Sequence, residues 1–109
     1  MRTGTVIIVG LGSIGKVHAK NAANLGWKVV TIDSDPKEGA NVTGIEHSAG
    51  LESTHAVIAT PVETHIDVFL ELLEVIPTIE TVLIEKPLFH PMYLNLDIKP
   101  PAINIVRIF

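Results

Sequence analysis

Three glycines, at positions 10, 12 and 15, sit between two short apolar runs, TVIIV and KVVTI, and Asp33 closes the second run 18 residues after Gly15. A GxGxxG loop that leaves a strand and opens a helix, with an acid after the next strand, is the pattern of a dinucleotide cradle. Gly10 permits the tight turn, Gly12 lets the backbone approach a pyrophosphate, and Gly15 lets the helix settle close to the strand. The amides of Ser13 and Ile14 open that helix, where unpaired N–H groups and the positive end of the dipole favour phosphate. Asp33 can accept hydrogen bonds from the adenosine ribose hydroxyls. Its charge repels a 2′-phosphate, so the expected cofactor is NAD rather than NADP, a preference that neighbouring Lys37 weakens. A plain helix-capping loop in which Asp33 starts a turn would use the same residues.

Two further stretches bring chemistry-bearing side chains to strand ends: Thr60-Pro61-Val62-Glu63-Thr64-His65, and Glu85-Lys86-Pro87-Leu88. The five histidines, at 18, 47, 55, 65 and 90, are scattered, and no metal-ligand spacing links them. Cysteine is absent, which excludes disulfides and thiolate chemistry. No Ser-His-acid pattern stands out.

The elements that must hold these residues follow from periodicity. Thr5–Val9 reads as a buried strand and Ser13–Leu25 as a helix with Ile14, Val17, Ala22 and Leu25 on its inner stripe and His18 on the same side. Gly26 ends it, and Lys28–Ile32 is the second strand. Residues 34–54 show turn signals and no long helix, with a short third strand expected over Asn41–Ile45. His55–Thr60 is a strand. Pro61 opens a helix to about Ile76 with Ile66, Phe69, Leu70 and Leu73 inside and Glu63, Asp67, Glu71 and Glu74 outside, ended by Pro77. Thr81–Ile84 is a strand, residues 88–101 are a proline-broken loop, and Ile103–Phe109 is a last strand. This alternation predicts an α/β fold: a Rossmann-like, doubly wound parallel sheet in abbreviated form, with residues 1–109 as one dinucleotide-binding domain.

Composition agrees. The chain has 109 residues and is 47% apolar, with a mean hydropathy of +0.40, as expected of a parallel sheet buried on both faces. Its apolar runs stop far short of the about 20 residues that span a bilayer. No signal segment is visible, so the expected location is the cytoplasm. A net charge of −4 argues against a nucleic-acid backbone partner.

Three motifs resemble one family when taken together. GxGxxGxxH at Gly10–His18, AVIATPxxxH at Ala56–His65 and EKPL at Glu85–Leu88 occur in the order, and on the elements, of the family named for glucose–fructose oxidoreductase, inositol dehydrogenase and MocA. The resemblance covers about residues 3 to 88. It implies NAD(P)-dependent hydride transfer on sugars, polyols or related small molecules. By this resemblance Thr60 and Pro61 line the nicotinamide-ribose region, His65 stands beside the cofactor at its helix start, and Glu85 helps hold the loop. Lys86 is the catalytic candidate: its ammonium can hydrogen-bond a substrate oxygen while hydride moves at the adjacent carbon and, once desolvated, can take part in proton transfer. For His65 a capping or packing role is the alternative, and for His18 a packing role. Arg107 loosely resembles the arginine that ends the family's last strand of this domain.

The sequence also departs from that family. Residues 34–54 are short for the usual helix, strand and helix, and the family's second domain, with its histidine, would be expected to begin about where Phe109 stands. A homo-oligomer, a partner chain or a missing neighbour domain is therefore expected beside the apolar terminal strand. The alternative to half of an oxidoreductase is a stand-alone dinucleotide-binding sensor without catalysis.

Overall fold

The computed structural model describes residues 4–85 and the strand 105–108. Within it the elements run β1 (Thr5–Val9), α1 (Ser13–Asn24), β2 (Lys28–Ile32), two 3-10 turns (Pro36–Glu38 and Ile45–Ser48), and β3 (His55–Ile58). A 3-10 turn (Val62–Thr64) then leads into α2 (His65–Val75), β4 (Thr81–Ile84) and β5 (Ile105–Ile108). The five strands form one sheet of order β2-β1-β3-β4-β5, and every pairing is parallel. The expected Rossmann-like α/β sheet is therefore present. The loop read over 88–101, together with Lys86, Pro87 and Leu88, lies outside the described residues, and of Arg107 only the backbone is described.

Strands with Val and Ile on both faces need cover on both, and the two helices supply it. On one face Ile7, Val9, Ile58, Val82 and Ile84 meet Phe69, Leu72, Leu73 and Ile76 of α2 and its exit. On the other, Val6, Ile8, Leu11 and Val57 meet Ala19, Ala22 and Trp27. Each fully buried aliphatic or aromatic side chain contributes roughly 1.5–3 kcal/mol relative to exposure.

The inner stripe of α1 differs from the sequence expectation. Ile14, Val17 and Leu25 are 47%, 50% and 73% exposed, whereas Gly15 is buried and Ala19 and Ala22 face the sheet. The reason is distance. The helix sits so close to the glycine loop that a Cβ on Gly15 would lie 1.8 Å from the Gly10 carbonyl oxygen. Only the small residues at i, i+4 and i+7 fit that contact, so the larger apolar side chains are rotated outward.

In α2 the expected stripe holds except at its edge. His65, Ile66, Phe69, Leu72 and Leu73 are buried, while Leu70, expected inside, is 42% exposed. Glu63, Asp67, Glu71 and Glu74 lie on the exposed side as expected.

The third strand expected over Asn41–Ile45 is reduced to one parallel bridge, Ile32 to Val42. A doubly wound sheet of order 3-2-1-4-5-6 carries a full strand at this edge. Here the Asn41 side chain replaces most of it. Its Oδ1 accepts the Thr31 amide at 2.8 Å and the Thr31 hydroxyl at 3.0 Å, and Val42 N–H donates to Thr31 O at 3.1 Å. Ile45 then turns into the core of the α2 face.

Candidate functional site

Strand order reverses between β1 and β3, because α1 carries the chain to one side of β1 and β3 pairs on the other. In such sheets the crevice beyond the strands' carboxyl ends opens at this switch point, and the glycine loop lies there. Gly10 N–H donates to Ile32 O and Ala59 N–H to Val9 O, both at 2.8 Å, so the exits of β1, β2 and β3 are tied side by side. Gly10 has φ +98°, and a Cβ there would stand 2.8 Å from Ala59 backbone atoms. Geometry and space both require glycine. Gly12 is different: a Cβ would find no atom within 4 Å. Its φ of −69° is open to any L-residue, and as the N-cap of α1 it supplies no side-chain hydrogen bond to the helix. The first-turn amides, those of Ser13 and Ile14 among them, have no intrahelical partner and are left for another acceptor.

Asp33 is stitched to this loop. Its Oδ2 accepts the Leu11 amide at 2.7 Å and its Oδ1 accepts the Asp35 amide at 2.8 Å. Each carboxylate oxygen keeps a second lone pair, so the side chain can fix the loop and still accept from a hydroxyl. A cleft of about 610 Å³ runs from Gly10 and Gly12 past Asp33, and reaches Thr60 and Pro61. The sequence-derived residues Gly10, Gly12, Asp33, Thr60 and Pro61 thus share one cavity. Its walls also include Glu38, Thr43–Ile45, Thr64 and Val68, which sequence reasoning missed. The signal for Thr64 was its spacing of four from Thr60. For Thr43–Ile45 there was none, because that segment has no period.

The remaining sequence-derived residues stand around the cleft. Thr64 Oγ1 lies 2.7 Å from both Thr60 Oγ1 and Pro61 O. His65 is 1% exposed; its Nε2–H donates to Thr60 O at 2.8 Å. It therefore holds the Thr60–Pro61 turn from behind rather than lining the cavity. Glu85 leaves β4 beside β3, its N–H donating to Ile58 O at 3.2 Å, and its carboxylate is hydrogen-bonded to His18 Nε2. That bond joins the first and third motifs across the sheet edge. Lys86, the next residue, lies outside the described residues. Among the described residues no cluster of three or more His, Asp and Glu could hold a metal ion, and no helix is long and apolar enough to cross a membrane.

The His18–Glu85 pair is about three-quarters buried on both sides. A hydrogen bond of this kind contributes about 1 kcal/mol. His18→Ala is expected to lower unfolding stability by about that amount in denaturant titration, and Glu85→Gln by less; a midpoint unmoved in both variants would contradict the pairing.

Sheet, glycine loop and switch-point cleft define a Rossmann-like domain. Solved structures that share this fold include dehydrogenases and a repressor. The WlbA dehydrogenase from Bordetella pertussis, in complex with NADH and UDP-GlcNAcA, aligns over 82% of this chain with a TM-score of 0.66 and 24% identity. The apo scyllo-inositol dehydrogenase from Lactobacillus casei aligns over 82% with a TM-score of 0.63 and 23% identity. The chain spans 30% of the length of each. RSP, a Rex-family repressor, in complex with β-NADH, aligns over 99% of this chain and 54% of its own, with a TM-score of 0.71 and 17% identity. No family model and no curated protein sequence matches the chain.

Proposed function

We propose that this chain is the NAD-binding domain of an oxidoreductase that moves hydride between the cofactor and a sugar- or polyol-like substrate. The observation that carries the reading is Gly12: an open Cβ position at an uncapped helix start, on a cleft that Asp33 also walls. The remaining glycine contacts fit the same group, since both Gly10 and Gly15 lack room for a side chain. Bound NAD supplies the hydride acceptor or donor. The amides of Ser13 and Ile14 hold the diphosphate, Asp33 the adenosine ribose, and Thr60 and Pro61 the nicotinamide end, with His65 fixing the Thr60 carbonyl. Lys86 follows Glu85 at the adjacent strand end, and we assign it the substrate oxygen. The three motifs that resemble the glucose–fructose oxidoreductase, inositol dehydrogenase and MocA family support this, as do structural neighbours described as dehydrogenases. The rest of the substrate site then comes from a second domain or partner chain, and the work is placed in the cytoplasm.

The second reading is a dinucleotide-responsive regulatory module without catalysis. It is favoured by the alignment of a repressor, in complex with NADH, over nearly the whole chain. Turnover separates the two readings. Oxidation of a sugar or polyol by the chain with its partner, abolished in Lys86→Ala, supports the enzyme; NADH binding without turnover in any pairing supports the regulator.

Asp33 tests the cofactor assignment within the domain. Asp33→Asn removes the charge and keeps one of the two oxygens that accept backbone amides. Charge-assisted hydrogen bonds are worth about 1.5–3 kcal/mol, so NADH affinity is expected to fall at least about tenfold while the NADH-over-NADPH preference narrows. Fluorescence titration with both cofactors reads this. A preference equal to that of the unsubstituted chain would refute the ribose role.

A further inference from the structure

We propose that Lys16 and Glu38 form a charge pair that sets which dinucleotide the cleft accepts, with Glu38 as a second carboxylate against a 2′-phosphate. This rests on the NAD-binding reading above and concerns the adenosine end of the same cleft. Lys16 follows Gly15 in the first turn of α1. Glu38 ends the 3-10 turn that follows β2. Their side chains meet at 3.3 Å, Nζ to Oε1, joining two elements that flank the glycine loop and Asp33. Glu38 walls the cleft together with Asp33 and Asp35.

The charge pattern gives the contact its meaning. Asp33 is held by two backbone amides, so it cannot swing aside for a phosphate. Asp35 Oδ1 accepts the Lys37 amide at 2.9 Å, while Lys37 itself is exposed and is not part of the cleft wall. The softening of NAD preference expected from Lys37 is thus not built into the cavity. Lys16 does not wall the cleft either, but among the described contacts it is the cation bonded to a carboxylate that does, Glu38. Three carboxylates against one ammonium leave a local charge of −2, facing the place where NADP carries a further dianion. The pair does little for folding: the Lys16 side chain is 58% exposed, and water screens such surface pairs. Its consequence lies in the field at the cleft mouth. Neutralising Glu38 removes one repelling charge and releases Lys16 to meet a 2′-phosphate. Dropping Lys16 does the reverse.

The test is NADH and NADPH titration, by cofactor fluorescence, of the full chain and of Glu38→Gln, Lys16→Gln and the double variant. The quantity read is the ratio of NADPH to NADH affinity. A dianion meets both changes, the lost carboxylate and the released ammonium, so Glu38→Gln is expected to raise the ratio about tenfold, or about 1.4 kcal/mol. Lys16→Gln is expected to lower it, and the double variant to lose most of the gain. The gain should also shrink in high salt, because exposed charges are screened. A ratio in Glu38→Gln within about twofold of the unsubstituted chain, a difference of about 0.4 kcal/mol, would overturn the proposal while leaving NAD binding intact. A gain that survives in the double variant would overturn the role of Lys16. Failure of the unsubstituted chain to bind NADH would instead overturn the parent reading.

Discussion

Gly15→Ala is expected to destabilise the domain by about 3 kcal/mol or more, at the upper end of what overpacking costs. Two effects oppose each other at this position, and their sizes decide the outcome. Helix propensity favours the substitution: alanine in a helix is worth about 1 kcal/mol over glycine. Packing opposes it, since the new Cβ would stand 1.8 Å from the Gly10 carbonyl oxygen and 2.8 Å from its carbon. Those are backbone atoms, and Gly10 is itself pinned by its bond to Ile32. Relief requires α1 to lift off the loop, which uncovers Val6, Ile8 and Leu11 beneath it. Thermal unfolding followed by circular dichroism is expected to show a fall on the order of 15 °C, at about 4–8 °C per kcal/mol for a domain near this size. An unchanged or higher melting temperature would mean that α1 does not approach the loop as described.

Gly12→Val is expected to give the opposite separation: a folded domain that no longer binds the cofactor. No atom lies within 4 Å of the added Cβ, and the backbone at Gly12 is in an ordinary region for L-residues. Valine is a poor N-cap, so a loss of up to about 1 kcal/mol is expected. Binding suffers far more. A branched side chain at the helix start stands where the diphosphate must approach the amides, and losing about 3 kcal/mol of contact there weakens affinity by roughly 100-fold. The two glycine variants together assign one residue to packing and the other to the ligand. A Gly12→Val protein that binds NADH as before would remove the main support for the dinucleotide cleft.

These residues also mark what could be read from the sequence. The glycine loop and Asp33 were legible because their requirements are local: a turn, a helix start and an acid at fixed spacing. Strands of Val and Ile were legible for the same reason. The inner face of α1 was not. Hydrophobic patterning selects Ile14, Val17 and Leu25, but close approach selects Gly15, Ala19 and Ala22, and no pattern of hydropathy signals that small residues win. Leu70 falls at the edge of the stripe because the buried arc of α2 is centred on His65, Phe69 and Leu72, about 100° or more around the helix from it. The edge of β2 was illegible because a single Asn41 side chain supplies bonds that a strand backbone would otherwise make. Glu38 escaped notice because its significance depends on Lys16, which is distant in sequence and adjacent only in the fold.

The most direct measurement is the structure of a crystal of this chain soaked with NADH. The account predicts diphosphate density over Gly12 against the Ser13 and Ile14 amides, with a ribose at Asp33. A cleft found empty, or filled by the protein's own side chains, would contradict it.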